Sequence, residues 1–554
     1  MCPGDNSMKL RHSRTFSTDV LVIGGGGGGL RAAIEARECG ARAMIVSQSR
    51  VGYGSNTAIS GGAFAAVRAR GSGKIDSEDT IEQHRDDTLE GGRGISDWFL
   101  VEMLVGGAEQ QIDDLYRFGV RYANEETDSW IPVVFDPGHS RRRMIYGRRL
   151  FGTDFTFPLR EYAAGIGVEF VEGVLITSLV KEGEHCVGAI GVTGEGMVCS
   201  FTAPATILAT GGLGQAFMIN DNTVGSTGDG YVLAYEAGVT LRDMEFVQFY
   251  PTALKNGRPA IYYECLIPDA GGKVLNWTDE DVAARYGLTD YMAFTRDRLS
   301  IAIAREISEG RGYDNKVILD LSAIPKETMA FLSPILPKEV HQGQLRFMIT
   351  PTAHTFLGGV QIDTNCATNV PGLYGAGEAC GGVQGANRLS GNALTELWVF
   401  GAIAGRNAAA HAQREKTAAH PDDTVNTEIE RLQAITSDGG EESVKSIHES
   451  LKTIMWTGVG VLRNEQGLEK ARGQLIELGE RLKYISANDE GRLPRVIKMK
   501  NMLVVSEMVC NAALMRKESR GCHFREDFPE REEERWKTSI TIAKDGETMV
   551  LDVV

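Results

Sequence analysis

Six consecutive glycines, Gly24 to Gly29, follow the apolar run 19–23 and precede a helical pattern from Leu30 to Glu38. Within them, Gly24-x-Gly26-x-x-Gly29 has the spacing of a phosphate-binding turn. The first glycine permits the turn, the second lets backbone amides approach a pyrophosphate, and the third lets helix and strand pack closely. A helix N-terminus then offers N–H groups and a positive dipole end to the phosphates. Gly24, Gly26, Gly27 and Gly29 are the expected cofactor contacts. The strand after such a helix usually ends in Asp or Glu, which binds a ribose hydroxyl. Here it ends in Ser47-Gln48-Ser49, leaving Ser47 as a weaker ribose ligand. That argues against a plain nicotinamide dehydrogenase. Two further strands run into glycine turns: Ala209-Thr210-Gly211-Gly212, and Gly375-Ala376-Gly377 followed by Glu378, an acid able to hold a ribose. Several glycine-lined approaches suit a long cofactor lying extended, and FAD fits better than NAD.

These turns need elements to hold them. The apolar run Ala43 to Val46 completes a strand–loop–helix–strand unit. Asp97 to Phe118 has the period of an amphipathic helix, and 167–210 reads as several strands. Residues 240–350 change character, with more tyrosine, and the glycine-rich style returns from Thr350 to Gly382. One nucleotide-binding domain in two segments, with a second domain inserted, accounts for that return. Segments 384–412, 425–482 and 496–516 read as helical, 415–425 as a linker, and 538–554 as a hairpin around Asp545-Gly546.

The composition excludes several classes. Among 554 residues, Lys+Arg is 58 and Asp+Glu is 74, a net charge of −16. Such a chain binds nucleic acid and anionic membranes poorly. There are 66 glycines, roughly one residue in eight, against about 7% typically. The nine cysteines form no C-x-x-C pair, so no metal or iron–sulfur site is expected within the chain. No apolar run is long enough to span a bilayer. Residues 1–16 read as a loose extension rather than a signal peptide, and a cytoplasmic location follows.

The stretches Arg296-Asp297-Arg298-Leu299-Ser300, Pro351-Thr352-Ala353-His354 through Gly359, Gly385-Ala386-Asn387-Arg388-Leu389 and 516–523 are more specific than the glycine fingerprint. With them the chain resembles the flavoprotein subunits of succinate dehydrogenase and fumarate reductase, from about residue 17 to about 537. L-aspartate oxidase and soluble fumarate reductases are relatives in that family. The resemblance implies an α/β fold with a two-segment Rossmann-like FAD domain (17–238 and 351–412). An α+β capping domain (239–350), a helical domain (413–516) and a short C-terminal domain (517–554) complete it.

It also implies a reaction. Reducing a C=C bond beside a carboxylate needs a hydride, which flavin N5 supplies, a proton donor, and cations that stabilise the developing charge. Arg296 matches the proton-donating arginine, Glu264 the relay glutamate, and His354 and Arg388 the carboxylate pair. Ser55, Asn56, Thr57, Gly61, Gly62, Asp229, Arg388, Asn392, Ala393 and Leu394 join the glycine turns as expected FAD contacts. The 516–520 charge cluster reads as a solvated or interdomain face.

The chain departs from the family pattern at four places. Asn56 stands where many membrane-complex members carry a flavin-linked histidine, so non-covalent FAD is expected, which disfavours succinate oxidation. Tyr250 replaces a substrate histidine, Tyr263 a threonine, and Ile267 the relay arginine. One carboxylate clamp is kept and the other remodelled, so the far end of the substrate is open to difference from fumarate. The expected activity is reductive, with electrons from an iron–sulfur subunit, indirect membrane association and an oligomeric state. An oxidase using dioxygen and an electron conduit without enoate chemistry are the alternatives.

Overall fold

The computed structural model describes residues 10–67, 78–123, 138–254, 271–290, 292–332, 336, 338–415, 422–437, 442–485 and 492–554. A five-stranded sheet carries the nucleotide-binding part. Its spatial order is Leu373–Gly375, Ala205–Leu208, Val20–Ile23, Ala43–Ser47, Glu169–Glu172, with every ladder parallel. The three central strands are buried at every residue, which is why they read as unbroken apolar runs.

The first helix spans Gly27–Glu38 and so begins three residues before its apolar pattern. Hydrophobic periodicity cannot register a first turn made of glycines. That turn lies against the helix Asn392–Arg414, where small residues let the backbones approach. A Cβ on Gly401 would stand 2.9 Å from Gly28 O, and one on Gly405 2.2 Å from Ala32 O. The helix Trp98–Arg117 appears as its pattern predicts. Asp97 accepts from Phe99 N and Leu100 N, and Leu100, Leu104, Ala108, Ile112 and Leu115 face the core.

The expected loose extension over 1–16 is overturned in its described part. Arg11–Ser17 is a strand, parallel to Met197–Thr202 at the edge of a four-stranded sheet. Edge pairing is made by the backbone, so the polar side chains gave no signal for it. Phe16 secures the strand by stacking on Phe201 at 5.0 Å.

A second, antiparallel sheet has the order Val247–Leu254, Arg346–Phe356, Val317–Asp320, Lys273–Leu275. It has its own core, including Val274, Leu299, Ile303, Leu319 and Ile349. The strand Arg346–Phe356 runs unbroken through the expected domain boundary at 350/351. It therefore links the second core directly to the residues that follow it.

The expected helix over 384–412 begins at Asn392, after a glycine turn at Gly391 with φ +77°. Helices Val444–Gly458, Glu465–Leu482 and Arg492–Met515 pack together, and the C-terminal hairpin 540–553 pairs with Leu241–Arg242. The charge cluster expected on a solvated or interdomain face is not solvated: it is buried, and its contacts cross the expected domain bounds. Arg516 Nε donates to Glu245 Oε1 at 2.6 Å and Nη1 to Glu518 Oε1 at 3.1 Å, with all three side chains 0% exposed.

Candidate functional site

A cleft with about 920 Å³ of empty space, its mouth included, opens at the carboxyl ends of the parallel strands. Gly24, Gly26, Gly27, Ser47, Ser55, Asn56, Thr57, Ala209, Thr210, Gly211, Asp229 and Glu378 line it. Its narrowest wall needs glycine. Gly24 has φ +121°, and a Cβ there would stand 2.1 Å from Ala209 O. Gly29 lies beneath the wall, where a Cβ would meet Gly24 O at 2.0 Å. The N-cap residue of the helix Gly27–Glu38, Gly26, has no side chain to cap it, and although Gly27 N is taken by Thr57 Oγ1 the positive end of the helix dipole lies at the cleft. Thr210 Oγ1 and Gln48 Oε1 are buried beside the space without a partner. Bare glycine backbone, a helix N-terminus at the cleft and two unsatisfied polar atoms fit a long dinucleotide carrying a pyrophosphate.

The polar lining is tightly tied. Ser47 Oγ accepts from Ser49 N at 3.3 Å, Ser55 Oγ from Ala58 N at 3.2 Å, and Thr57 Oγ1 from Gly27 N at 3.2 Å. Asn56 Oδ1 accepts from Thr223 N, Thr223 Oγ1 and Ser226 Oγ at 2.9–3.2 Å. Its Nδ2 donates to Asn222 Oδ1 at 2.6 Å and Glu378 Oε2 at 3.4 Å. Burial pushes the Glu378 carboxyl up, against hydrogen bonds from Phe356 N, Asn56 and Thr355. Burial likewise raises Asp229, which accepts from Asn501 and Thr227.

The remaining expected cofactor residues stand outside this lining: Gly29, Gly61, Gly62, Gly377, Arg388, Asn392, Ala393 and Leu394. Gly62 and Gly377 hold turns at φ +62° and +70°. Asn392 is buried, donates to Thr88 Oγ1 at 3.0 Å and meets His84 Nε2 at 2.9 Å.

A second cluster gathers side chains from widely separated segments. Tyr250 lies on the strand Val247–Leu254, opposite Thr352 of the strand that carries His354, and the two rings are 5.3 Å apart. Arg296, the first residue of the helix Arg296–Ser308, places its Cζ 4.8 Å over the Tyr250 ring. Its Nη2 donates to Ser390 Oγ at 3.4 Å. Arg388 is buried, and its Nη1 donates to Leu389 O at 3.0 Å. Gln248 Nε2 clamps that loop by donating to Arg388 O at 2.8 Å and Asn387 Oδ1 at 2.9 Å. Burial lowers the His354 imidazole, Asp221 opposes this, and the Arg296 and Arg388 charges lower it further. The structure thus brings Arg296, His354, Arg388 and Tyr250 together. Tyr263, Glu264 and Ile267 lie outside the described residues.

The sequence reading missed three members of this region. His139 is buried, and its Nε2 faces Ser390 O at 2.9 Å while its Nδ1 faces Arg143 Nη1 at 2.8 Å. A carbonyl only accepts and a guanidinium only donates, so this histidine is the neutral Nε2–H form. Burial and the Arg143 charge lower it to about 3, with Arg296 and Arg388 contributing. Ser390 lies one residue beyond the Gly385–Leu389 motif and accepts from both sides. Asp221, 2.6 Å from His354 Nδ1, sits in the polar triplet 220–222. Adjacency to the motif would have found Ser390. His139 is more than a hundred residues from Ser390, and Asp221 from His354.

Among the described residues, no group of His, Cys, Asp and Glu could hold a metal ion. Among them, too, no helix is long and apolar enough to cross a membrane.

Comparison with known proteins extends across the whole chain. Residues 19–394 match the FAD binding domain family, and 448–553 the fumarate reductase flavoprotein C-term family. An uncharacterized FAD-dependent oxidoreductase of Methanocaldococcus jannaschii is 37% identical over 537 residues, covering 95% of this chain and 96% of the relative. One subunit of the fumarate reductase (CoM/CoB) of Methanothermobacter marburgensis is 36% identical over 543 residues, covering 96% of this chain and 98% of the relative. Among solved structures, the E. coli quinol fumarate reductase FrdA superimposes with a TM-score of 0.89 at 27% identity, covering 98% of this chain and 97% of the other.

Proposed function

The chain belongs to the fumarate reductase and succinate dehydrogenase flavoprotein family of FAD-dependent oxidoreductases, and from that premise we propose that it reduces an α,β-unsaturated carboxylate to its saturated form. The observation that carries this reading is the convergence of two guanidiniums and an imidazole, Arg296, Arg388 and His354, around Tyr250. FAD, when bound in the glycine cleft, supplies the hydride. Gly24, Gly26, Gly27, Thr210, Asp229 and Glu378 are the residues placed to hold it.

The protein's own groups do the rest. Arg388 and His354 bind the carboxylate and stabilise charge that grows on it as the double bond is reduced. Arg296 donates the proton to the carbon α to that carboxylate. Its guanidinium is aimed by the Ser390 hydroxyl and by the Tyr250 ring beneath it. Tyr250 offers its ring face to Arg296, and where it replaces a histidine the substrate's far end need not carry a second carboxylate. Glu264 is the proposed source of the proton that reloads Arg296.

Asn56 supports non-covalent flavin, because its amide has no ring nitrogen to form the bond and its oxygen and nitrogen are already engaged. The reductive direction follows from the higher potential that a covalent link would have conferred. Electrons come from a separate iron–sulfur subunit, through which any membrane association is indirect.

The test is an anaerobic assay of the purified flavoprotein with reduced viologen as donor. Fumarate is offered beside a panel of other enoates, including aryl-substituted ones. Fumarate-dependent dye oxidation places it among the fumarate reductases. Activity confined to another enoate assigns the specificity to the Tyr250 end. Silence across the panel, with FAD bound and reduced, refutes the reading.

A further inference from the structure

The segment 220–226 touches both parts of the site. On its cleft side, Thr223 and Ser226 donate to Asn56 Oδ1, and Asn56 Nδ2 donates to Asn222 Oδ1 at 2.6 Å. On its other side it is docked along the strand that carries His354. Asp221 N donates to Ala353 O at 3.3 Å, and Ala353 N to Ile219 O at 2.9 Å. Asn222 Nδ2 donates to His354 O at 3.0 Å and also to Asp221 Oδ1 at 3.0 Å. One oxygen of Asp221 is therefore held by its neighbour, while the other, Oδ2, lies 2.6 Å from His354 Nδ1. The Asp221 side chain is 6% exposed and that of His354 is 28% exposed. The carboxylate sits behind the ring, and the ring keeps an open side.

A carboxylate accepts and does not donate, so the Nδ1 of His354 carries a proton. That leaves Nε2 as the atom whose protonation can change. We propose that Asp221 is the positioning residue of His354: it fixes the Nδ1–H imidazole and holds a negative charge behind it, so that Nε2 takes up a proton from solvent as an anionic carboxylate binds. This rests on the reading of His354 as a carboxylate ligand. The charged and titratable groups around the ring have opposed effects. Arg296 and Arg388 disfavour the imidazolium and Asp221 favours it. Tyr250 packs on the ring, and Glu378 on the cleft side also senses the Asp221 charge. An arriving carboxylate offsets the two guanidiniums and adds its charge to that of Asp221, so that the two anions together oppose the burial that lowers the ring. Through Asn222 and Asn56 the same segment ties His354 to the dinucleotide cleft.

The experiment uses the FAD-loaded protein with ¹⁵N-labelled histidine, the His354 resonances being assigned with H354Q. D221N removes the charge and leaves one accepting oxygen for two donors, His354 Nδ1–H and Asn222 Nδ2, whereas D221A removes both oxygens. The expected tautomer is Nδ1–H in the parent protein, and it is lost in D221A. In the presence of succinate, the His354 titration midpoint falls by about one pH unit in D221N, and D221E restores part of it. With an enoate that turns over, D221N raises KM about tenfold at pH 7.5 and less so at pH 6, with kcat changed less than threefold. A parent His354 in the Nε2–H form, or a D221N midpoint equal to the parent's, overturns the proposal. Absence of turnover with every enoate refutes the functional reading instead, and the tautomer and midpoint still decide the role of Asp221.

Discussion

The cleft and the cation cluster are built by opposite means. The wall of the cleft at residues 24–28 is backbone from one local unit, a strand, a glycine turn and the helix that follows, although Ser47, Asn56, Thr210, Asp229 and Glu378 join it from elsewhere in the chain. The cluster is made of side chains from Tyr250, Arg296, His354 and Arg388, delivered by two strands of one sheet, a helix start and a loop. A backbone surface fails when a Cβ fills it. A charge cluster fails when a charge is removed or mispositioned. Substitutions in the two regions should therefore separate flavin content from turnover.

The largest effect should come from Arg296→Gln, which removes the proposed proton donor and one of the cations. Turnover of the preferred enoate should fall by roughly a thousandfold or more, the scale on which a pre-organised charge-stabilising group acts. Flavin absorbance should stay unchanged. Loss of flavin in this variant would break the separation between the regions.

Gly24→Ala should do the reverse. Its Cβ would meet backbone at 2.1 Å from a residue at φ +121°, and overpacking with backbone strain costs on the order of 4 kcal/mol. Purified protein should lose most of its flavin, and the apparent melting temperature should drop. Full flavin content would show that the turn tolerates movement.

Glu396 lies between the regions, feeling Glu378 of the cleft and Arg388 of the cluster. It accepts from Gln384 Nε2 at 2.7 Å, and burial pushes it up to about 7. Its folded value exceeds its ordinary one, so the stability it contributes is full at low pH. That contribution is lost progressively as pH rises through about 7, by about 3 kcal/mol in all. Glu396→Gln should thus be more stable than the parent at pH 8 and gain little at pH 5. Melting curves at the two pH values check this, and equal gains at both would contradict the assigned shift.

The smallest effect is expected for Thr210→Val. Its hydroxyl is buried at the cleft without a protein partner, so the substitution removes at most one hydrogen bond to the cofactor, about 1 kcal/mol. Flavin affinity measured by dilution should weaken by less than tenfold, with turnover of the loaded protein unchanged.

Several elements were legible because their signals are local. The buried strands Val20–Ile23 and Ala43–Ser47 read as apolar runs, the Trp98–Arg117 helix by its period and Asp97 cap, and the C-terminal hairpin by alternation around Asp545-Gly546. Arg11–Ser17 was illegible because its ladder is made by backbone, and its side-chain contacts with the neighbouring strand are with residues some 185 positions away. The Gly27 helix start was hidden because glycine carries no side-chain pattern. Arg516 read as part of a solvated or interdomain face, and the sequence does not show that Glu245, 271 positions away in the expected capping domain, meets it in the interior.

By itself, the sequence determined the nucleotide-binding character of the chain, through glycines at fixed local spacing, and the family-like arginines and histidine, through short contiguous motifs. The tertiary structure decided which groups surround them. His139 meets Ser390 across 251 positions, and Asp221 meets His354 across 133. The protonation of His354 depends on Arg296, Arg388 and Asp221 together. The physical reason is range. Backbone conformation and periodicity are set by neighbouring residues, whereas hydrogen-bond roles and charge states are set by distance in space, which only the folded chain defines.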